Sequence, residues 1–149
     1  MNDHRVIGWR EWVALPQLGL PALKAKIDTG ARSSSLHVET LRVDERADAT
    51  WLLFEIDTGA GGRVSCQAPA VDRRAVTDSG GNTTLRWFIF SKVRLAGLCW
   101  QAEINLSNRR KMRFPMLLGR TALRGRFLVD PELSYQCGRS HRRASLESR

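Results

Sequence analysis

No stretch of this 149-residue chain approaches the roughly 18 consecutive apolar residues that cross a bilayer as a helix. Met1-Asn2-Asp3-His4-Arg5 lacks the apolar stretch of a secretory signal, so the expected compartment is the cytoplasm, with no membrane partner. Cysteine is scarce: Cys66, Cys99 and Cys137 lie far apart and form no Cys-x-x-Cys pair. An odd, scattered set suits thiols in a reducing compartment and excludes a disulfide framework. Histidine is as scarce, with His4, His37 and His141 and no His-Glu-x-x-His. A catalytic zinc wants three ligands on rigid elements, and only His37 falls on one, so neither metal nor other cofactor is expected. There is no Gly-x-x-x-x-Gly-Lys-Ser/Thr loop for ATP phosphates. Lysine is short too: four of 24 basic residues, the other 20 being Arg, at a net charge of +9. The Arg fork reads carboxylates and phosphates bidentately. Charge alone therefore leaves open an acidic substrate, a nucleic acid, or a compositional habit without local meaning.

What is present is short, β-prone and punctuated by Gly and Pro. Val6–Trp12 and Val13–Leu15 read as strand material up to Pro16 and the Gly19-Leu20-Pro21 turn. Ala22–Ile27 alternates, with Leu23, Ala25 and Ile27 on one face and Lys24 and Lys26 on the other. Ser33–Val38 is a further strand, leading to a charged loop at Asp44–Asp48. Three hairpins follow. Trp51–Ile56 and Arg63–Gln67 flank a turn at 57–62, Ala75–Thr77 and Thr83–Phe90 flank one at 78–82, and Val93–Leu95 and Leu98–Leu106 flank Gly97. Met116–Leu118 is a short apolar strand, Thr121–Arg126 starts the one helix, and Phe127–Val129 is a last strand. The pattern predicts a single, mainly β domain over residues 1–135 and a flexible basic tail over 136–149. The five tryptophans all fall in predicted strands, where a core role is expected.

Asp-Thr-Gly-Ala occurs twice, at 28–31 and at 57–60. Asp57 precedes Ala60-Gly61-Gly62 and sits where a hairpin reverses, so its Asp and Gly read as ordinary turn formers. Asp28 ends a strand, and the chain runs on into another, which holds a carboxylate on a tight loop. Gly30 lets the backbone approach closely, and Thr29 can bond neighbouring backbone. Asp28, Thr29 and Gly30 are therefore the candidate catalytic residues.

Downstream, Phe114-Pro115-Met116-Leu117-Leu118-Gly119-Arg120-Thr121-Ala122-Leu123 places apolar residues, then Gly, then a helix. Lys26-Ile27-Asp28-Thr29-Gly30-Ala31, the Gly80-Gly81 tip and Leu117-Leu118-Gly119-Arg120 occur in the order of a retropepsin monomer. They resemble its catalytic loop, flap and apolar-apolar-Gly element. The chain resembles most closely the RimB-like bacterial family labelled ATP-dependent zinc protease and now regarded as retropepsin-like. Asp28 to His37, Val76 to Gly80 and Phe114 to Phe127 carry that likeness, which extends to Tyr135. The resemblance implies a closed β-barrel monomer with one short C-terminal helix, paired as a twofold homodimer. It implies an aspartic peptidase in which two Asp28 carboxylates activate water. It places the substrate on Ala31, Arg32, Asp78, Ser79, Gly80, Gly81, Leu117, Leu118 and Arg120. Some members sit beside a ligase that adds glutamate tails to a ribosomal protein, which implies an acidic peptide substrate and a glutamate ligase as partner.

One departure stands out. Retroviral enzymes usually carry an acid straight after Asp-Thr-Gly-Ala, paired with the Arg after apolar-apolar-Gly. Here Arg32 takes that place opposite Arg120, either as a subsite for a carboxylate or bridged to Asp130 or Glu132. Two other readings stand beside the peptidase. One is the zinc protease of the family label. The other is a non-catalytic basic module for peptide or nucleic acid, on Arg109–Arg113 and Arg139–Arg143; nucleic acid is disfavoured if the tryptophans are core.

Overall fold

The computed structural model describes residues 4–58, 62–108 and 114–137. Strand begins at once, with β1 (Arg5–Ile7) and β2 (Arg10–Leu15). The sequence suggested one strand through Val6–Trp12, but the chain bends at Gly8 and Trp9. A Cβ on Gly8 would lie 2.2 Å from the Leu133 carbonyl oxygen, so only glycine lets the two backbones cross there. After a 3-10 turn at Pro16–Leu18, β3 (Leu20–Asp28) shows the expected alternation, with Leu23, Ala25 and Ile27 buried. β4 (Ser34–His37) leads to a three-stranded antiparallel sheet of β5 (Thr40–Glu45), β6 (Thr50–Asp57) and β7 (Arg63–Pro69). The charged loop expected at Asp44–Asp48 is half strand, because Asp44 and Glu45 pair opposite Trp51 and Thr50. Their charges are met locally: Thr50 donates to Glu45 at 2.9 Å, and Arg46 binds Asp44 at 3.0 Å.

The remaining elements are β8 (Asp72–Thr77), β9 (Thr83–Leu95), β10 (Leu98–Ser107), β11 (Met116–Gly119), α1 (Arg120–Leu123) and β12 (Phe127–Val129). Two runs read as separate strands, Thr83–Phe90 and Val93–Leu95, fuse into the 13-residue β9. The polar pair that suggested a break stays in the ladder. Ser91 is fully buried opposite Ala102, and the Lys92 N–H donates to Gln17 Oε1 at 2.9 Å. The helix begins one residue earlier than expected and is over by Arg124, just before Gly125 adopts φ +79°.

The large sheet runs β10-β4-β11-β3-β2-β9-β8, and β9 also pairs along β10. The ladder thus comes round on itself, but β2 meets β9 at one residue pair, Ala14 opposite Arg94. With so thin a seam the sheet is mainly β without being a clearly closed barrel, which revises the barrel expectation. Inside it lies the core, including Leu23, Ile27, Leu36, Ile89, Ile104 and Leu118, and removing that apolar surface from water is the main force holding the fold. β1 and β12 pair in parallel, bringing both ends of the described chain together.

The tryptophans only partly fill the core role expected: Trp87 and Trp100 pack against the core, and none of the five is fully buried. All five are half-buried, and each carries a cation over its ring at 4.4–5.4 Å: Arg10 on Trp9, Lys24 on Trp12, Arg46 on Trp51, Arg73 on Trp87 and Arg126 on Trp100. Their exposed faces are thus occupied from within the chain, which works against base stacking. The basic run at 109–113 and the tail beyond 137 lie outside the described residues. Gln136 and Cys137, read as the start of that tail, are held by the fully buried Glu11, which accepts their N–H groups at 3.0 and 3.1 Å.

Candidate active site

Asp28 closes β3 and is half-buried at the head of a tight turn. Its Oδ1 accepts the Gly30 N–H at 3.0 Å and its carbonyl accepts the Ala31 N–H at 3.2 Å, so the aspartate organises its own loop. β11 is inserted between the two strands that carry this loop. It runs parallel to β3, with Gly119 opposite Asp28, and antiparallel to β4, with Leu117 opposite Ser35. Glycine is obligatory at 119: a Cβ would lie 2.5 Å from the Ser33 carbonyl oxygen and 2.9 Å from that of Ala31. The Gly119 N–H donates to Ser34 Oγ at 3.0 Å.

The residues after Gly119 then grip the loop. Arg120 Nη1 donates to the Thr29 and Gly30 carbonyls at 3.4 and 3.2 Å. The Arg120 N–H donates to the Ala31 carbonyl at 2.8 Å, and Thr121 Oγ1 to that of Arg32 at 2.9 Å. All four carbonyls from Thr29 to Arg32 are therefore held by one short element, and a carboxylate so fixed needs little reorganisation to react.

Asp28 opens onto a cleft of about 1060 Å³. Of the residues singled out from sequence, Gly30, Ala31, Arg32, Leu117 and Arg120 line it with Asp28, and Asp78 and Ser79 line it from the β8–β9 hairpin. Thr29, Gly80, Gly81 and Leu118 are not in its wall. Leu118 is fully buried behind the loop, and Gly80 and Gly81 sit at the exposed hairpin tip, where Gly81 has φ +84°. Asp78 builds that tip, since its Oδ1 accepts the N–H groups of Gly80 and Asn82 at 2.9 and 3.0 Å. Arg32 is exposed and makes no ion pair among the described residues; neither Asp130 nor Glu132 bridges it. Asp57 closes β6 opposite Arg63 and has no place in the cleft wall.

Among the cleft residues that sequence reasoning missed, Arg86, Asn105 and Ser35 form a buried hydrogen-bonded group beside the loop. The available signal was an Arg near the start of the otherwise apolar Leu85-Arg86-Trp87-Phe88-Ile89-Phe90. The zinc of the family label does not fit the donor set. His37 lies 3.9 Å from Glu39 and outside the cleft, and no three His, Cys, Asp or Glu side chains converge among the described residues. Nor does a cysteine reach the cleft. Burial pushes the Cys66 thiol up to about 11, and burial together with the Glu11 carboxylate does the same for Cys137. No described helix is long and apolar enough to cross a membrane.

Comparison with known proteins places this arrangement. Proteins named probable alpha-L-glutamate ligase from Shewanella pealeana and Parasynechococcus marenigrum are each 40% identical over 93% of this chain. A third, from Desulfotalea psychrophila, is 39% identical over 90% of it. The match covers only 31%, 30% and 30% of their own lengths, so the chain spans about a third of these relatives. A crystal structure of a Legionella pneumophila protein of unknown function superposes with a TM-score of 0.76 at 28% identity, covering 89% of this chain and 97% of that one. A family model described as retropepsin-like aspartic endopeptidase RimB matches residues 6–140, and the chain belongs to this RimB-like family.

Proposed function

We propose that this chain is one half of a homodimeric aspartic peptidase, in which an Asp28 from each protomer meets its mate across a twofold axis and the pair hydrolyses a peptide bond in an acidic, glutamate-rich substrate. The observation that carries the reading is the Asp28 loop itself: a carboxylate at the mouth of a cleft, on a turn gripped by β11 and Arg120. One carboxylate cannot serve as acid and base on the same bond at once, and the chain offers one such loop, so two chains are needed. Two carboxylates about 3 Å apart cannot both hold a charge, and the pair keeps one proton. The ionised member takes a proton from water as the oxygen attacks the carbonyl carbon. The protonated member supports the developing oxyanion, and a proton then passes to the leaving nitrogen. The β8–β9 hairpin serves as the flap that excludes water.

Other features support the details. Val6 and Leu128 are opposite each other in the β1–β12 pair and are 52% and 56% exposed, an apolar face suited to a second copy. The net charge of +9 and an exposed Arg32 at the cleft, in no ion pair among the described residues, favour an acidic peptide. The longer relatives are named for glutamate ligation, so we assign that activity to the two thirds of their chains outside this match and expect a glutamate ligase as partner in the cytoplasm.

The test is a subunit-mixing titration. Wild type is equilibrated with increasing Asp28→Asn protein, and cleavage of a glutamate-rich peptide is followed. Shared catalysis predicts that activity falls as mixed dimers form. Activity that depends only on the amount of wild type, or a monomer that cleaves, would refute the paired-aspartate mechanism.

A further inference from the structure

We propose that the outer face of β2 and β3 is an exosite that holds the acidic stretch of the substrate beyond the bond that is cut, with Lys24 and Lys26 as its contacts. The inference deepens the peptidase reading and rests on it for the identity of the ligand. Leu23, Ala25 and Ile27 turn inward, so strand alternation puts Lys24, Lys26 and Asp28 on the other face of β3. Both lysines are exposed, and they are two of only four in the chain. At the rise of a strand, Lys26 lies about 7 Å along β3 from Asp28 and Lys24 about 13 Å.

This face is continuous with the cleft. Leu117, in the cleft wall, is the β11 neighbour of Lys26, and Arg10 is its β2 neighbour, so one row crosses three strands outward from the cleft. Trp12 stands beside Lys24 in the next row of the same face. Arg10 directly opposite Lys26 is a like-charge pair, which normally destabilises a sheet. Yet Arg10, Lys24 and Lys26 make no ion pair among the described residues. Aromatic rings steady two of the three instead. The Arg10 guanidinium is 4.6 Å from the Trp9 ring and 4.9 Å from that of Tyr135, and the Lys24 ammonium is 5.4 Å from Trp12 and 6.0 Å from Tyr135. Tyr135 meets both cations from a backbone at φ +51°, a conformation unfavourable for a bulky residue. A ring face steadies a cation without cancelling its charge, so the patch stays positive.

That chemistry selects the ligand. Along an extended peptide, side chains on one side recur about every 7 Å, which is also the spacing of two lysines set two residues apart in a strand. Alternate glutamates of an extended chain can therefore meet the two ammonium groups in turn. Lysine is a compact charge on a flexible stem, which suits a run of identical residues whose register need not be fixed. A single-stranded nucleic acid would use ring faces for stacking, and Trp9, Trp12 and Tyr135 already carry cations on theirs.

The test is binding of a fluorescent twelve-residue oligoglutamate to full-length Asp28→Asn protein, read by anisotropy, with a twelve-residue oligothymidylate as the rival ligand. Adding Lys24→Gln and Lys26→Gln together should weaken oligoglutamate binding about four- to twenty-five-fold, two exposed charge pairs at roughly two- to fivefold each. Arg42 and Lys92 are exposed on other strands, and Arg42→Gln with Lys92→Gln removes the same charge while changing binding less than about twofold. Equal losses from the two double variants would mean diffuse attraction and overturn the exosite. So would an absence of oligoglutamate binding, or tighter lysine-dependent binding of the oligothymidylate. In protein that retains Asp28, the lysine substitutions should raise KM for a long glutamate chain and leave kcat, and KM for a peptide with one glutamate, unchanged. Lysine-dependent binding in a protein whose wild type cleaves nothing would spare the exosite and refute the peptidase. Cleavage of a long glutamate chain that ignores the lysines would do the reverse.

Discussion

The same four residues, Asp-Thr-Gly-Ala, occur at 28–31 and at 57–60, and the protein uses them in opposite ways. At Asp28 the chain leaves one strand of the large sheet and enters another, with β11 wedged between them and Arg120 holding the loop carbonyls. At Asp57 it leaves β6 and returns along β7, with Asp57 opposite Arg63 and the Thr58 N–H and Oγ1 both donating to the Gly62 carbonyl; residues 59–61 lie outside the described structure. The first copy is braced by a third strand and faces a cleft; the second closes a hairpin. What distinguishes a braced loop at a cleft from a plain turn is therefore the element packed behind it, some 90 residues later in the chain.

The comparison can be broken most severely at the two carboxylates. Asp28→Asn should cut hydrolysis by about a thousandfold or more, as expected for loss of acid–base catalysis, with the thermal melt nearly unchanged. Asp57→Asn should retain wild-type turnover, and the reverse result would reassign the site. Next come the glycines that support each kind of turn. Gly119→Ala forces a methyl into the Ser33 carbonyl and should cost on the order of 1–3 kcal/mol by overpacking. Gly80→Ala meets only Asp78 Oδ1 at 3.4 Å and Asn82 Nδ2 at 3.6 Å, so its melting temperature should hardly move. Equal shifts from denaturation curves would mean that β11 does not brace the loop.

A smaller effect sharpens the contrast at the cleft mouth. Arg32→Gln should lower kcat/KM on a glutamate-tailed peptide by roughly two- to fivefold, in line with an exposed charge pair, and leave a neutral peptide unaffected. An equal loss on both would make Arg32 a structural residue. Smallest of all are the thiols. Cys99 is exposed, whereas Cys66 and Cys137 are pushed up to about 11, so iodoacetamide at pH 8 should label Cys99 first. The raised folded-state values mean that each thiol's contribution to stability is complete below the unfolded value near 9 and fades as pH rises towards 11. A pH titration of the melt that rises across that window would contradict the assignment.

Much of this was legible in the residues. The alternation of Ala22–Ile27, the hairpin turns and the apolar-apolar-Gly run all state local preferences, and local preferences govern strands and turns. The difference between the two Asp-Thr-Gly-Ala copies was legible from their flanks. What escaped depends on distant partners. Gly8 breaks a strand because Leu133 crosses it, Ser91 stays in a strand because it is buried opposite Ala102, and the barrel seam thins because β2 meets β9 at one pair. Arg86 escaped for the same reason, since its holders come from three different strands, one of them its own.

β9 has a mechanical consequence. Residues 83–87 pair only with β8, residues 89–95 face β10 or β2, and Phe88 alone pairs with both Asp72 and Asn105. The strand is thus a lever about 43 Å long at 3.3 Å per residue, with a buried phenylalanine as its fulcrum and the hairpin tip as its free arm. Arg86 sits two residues out on that arm yet is fastened to Asn105 on the fixed side. Any swing of the tip must strain or release that fastening, so the free arm moves against a tether two residues from its fulcrum.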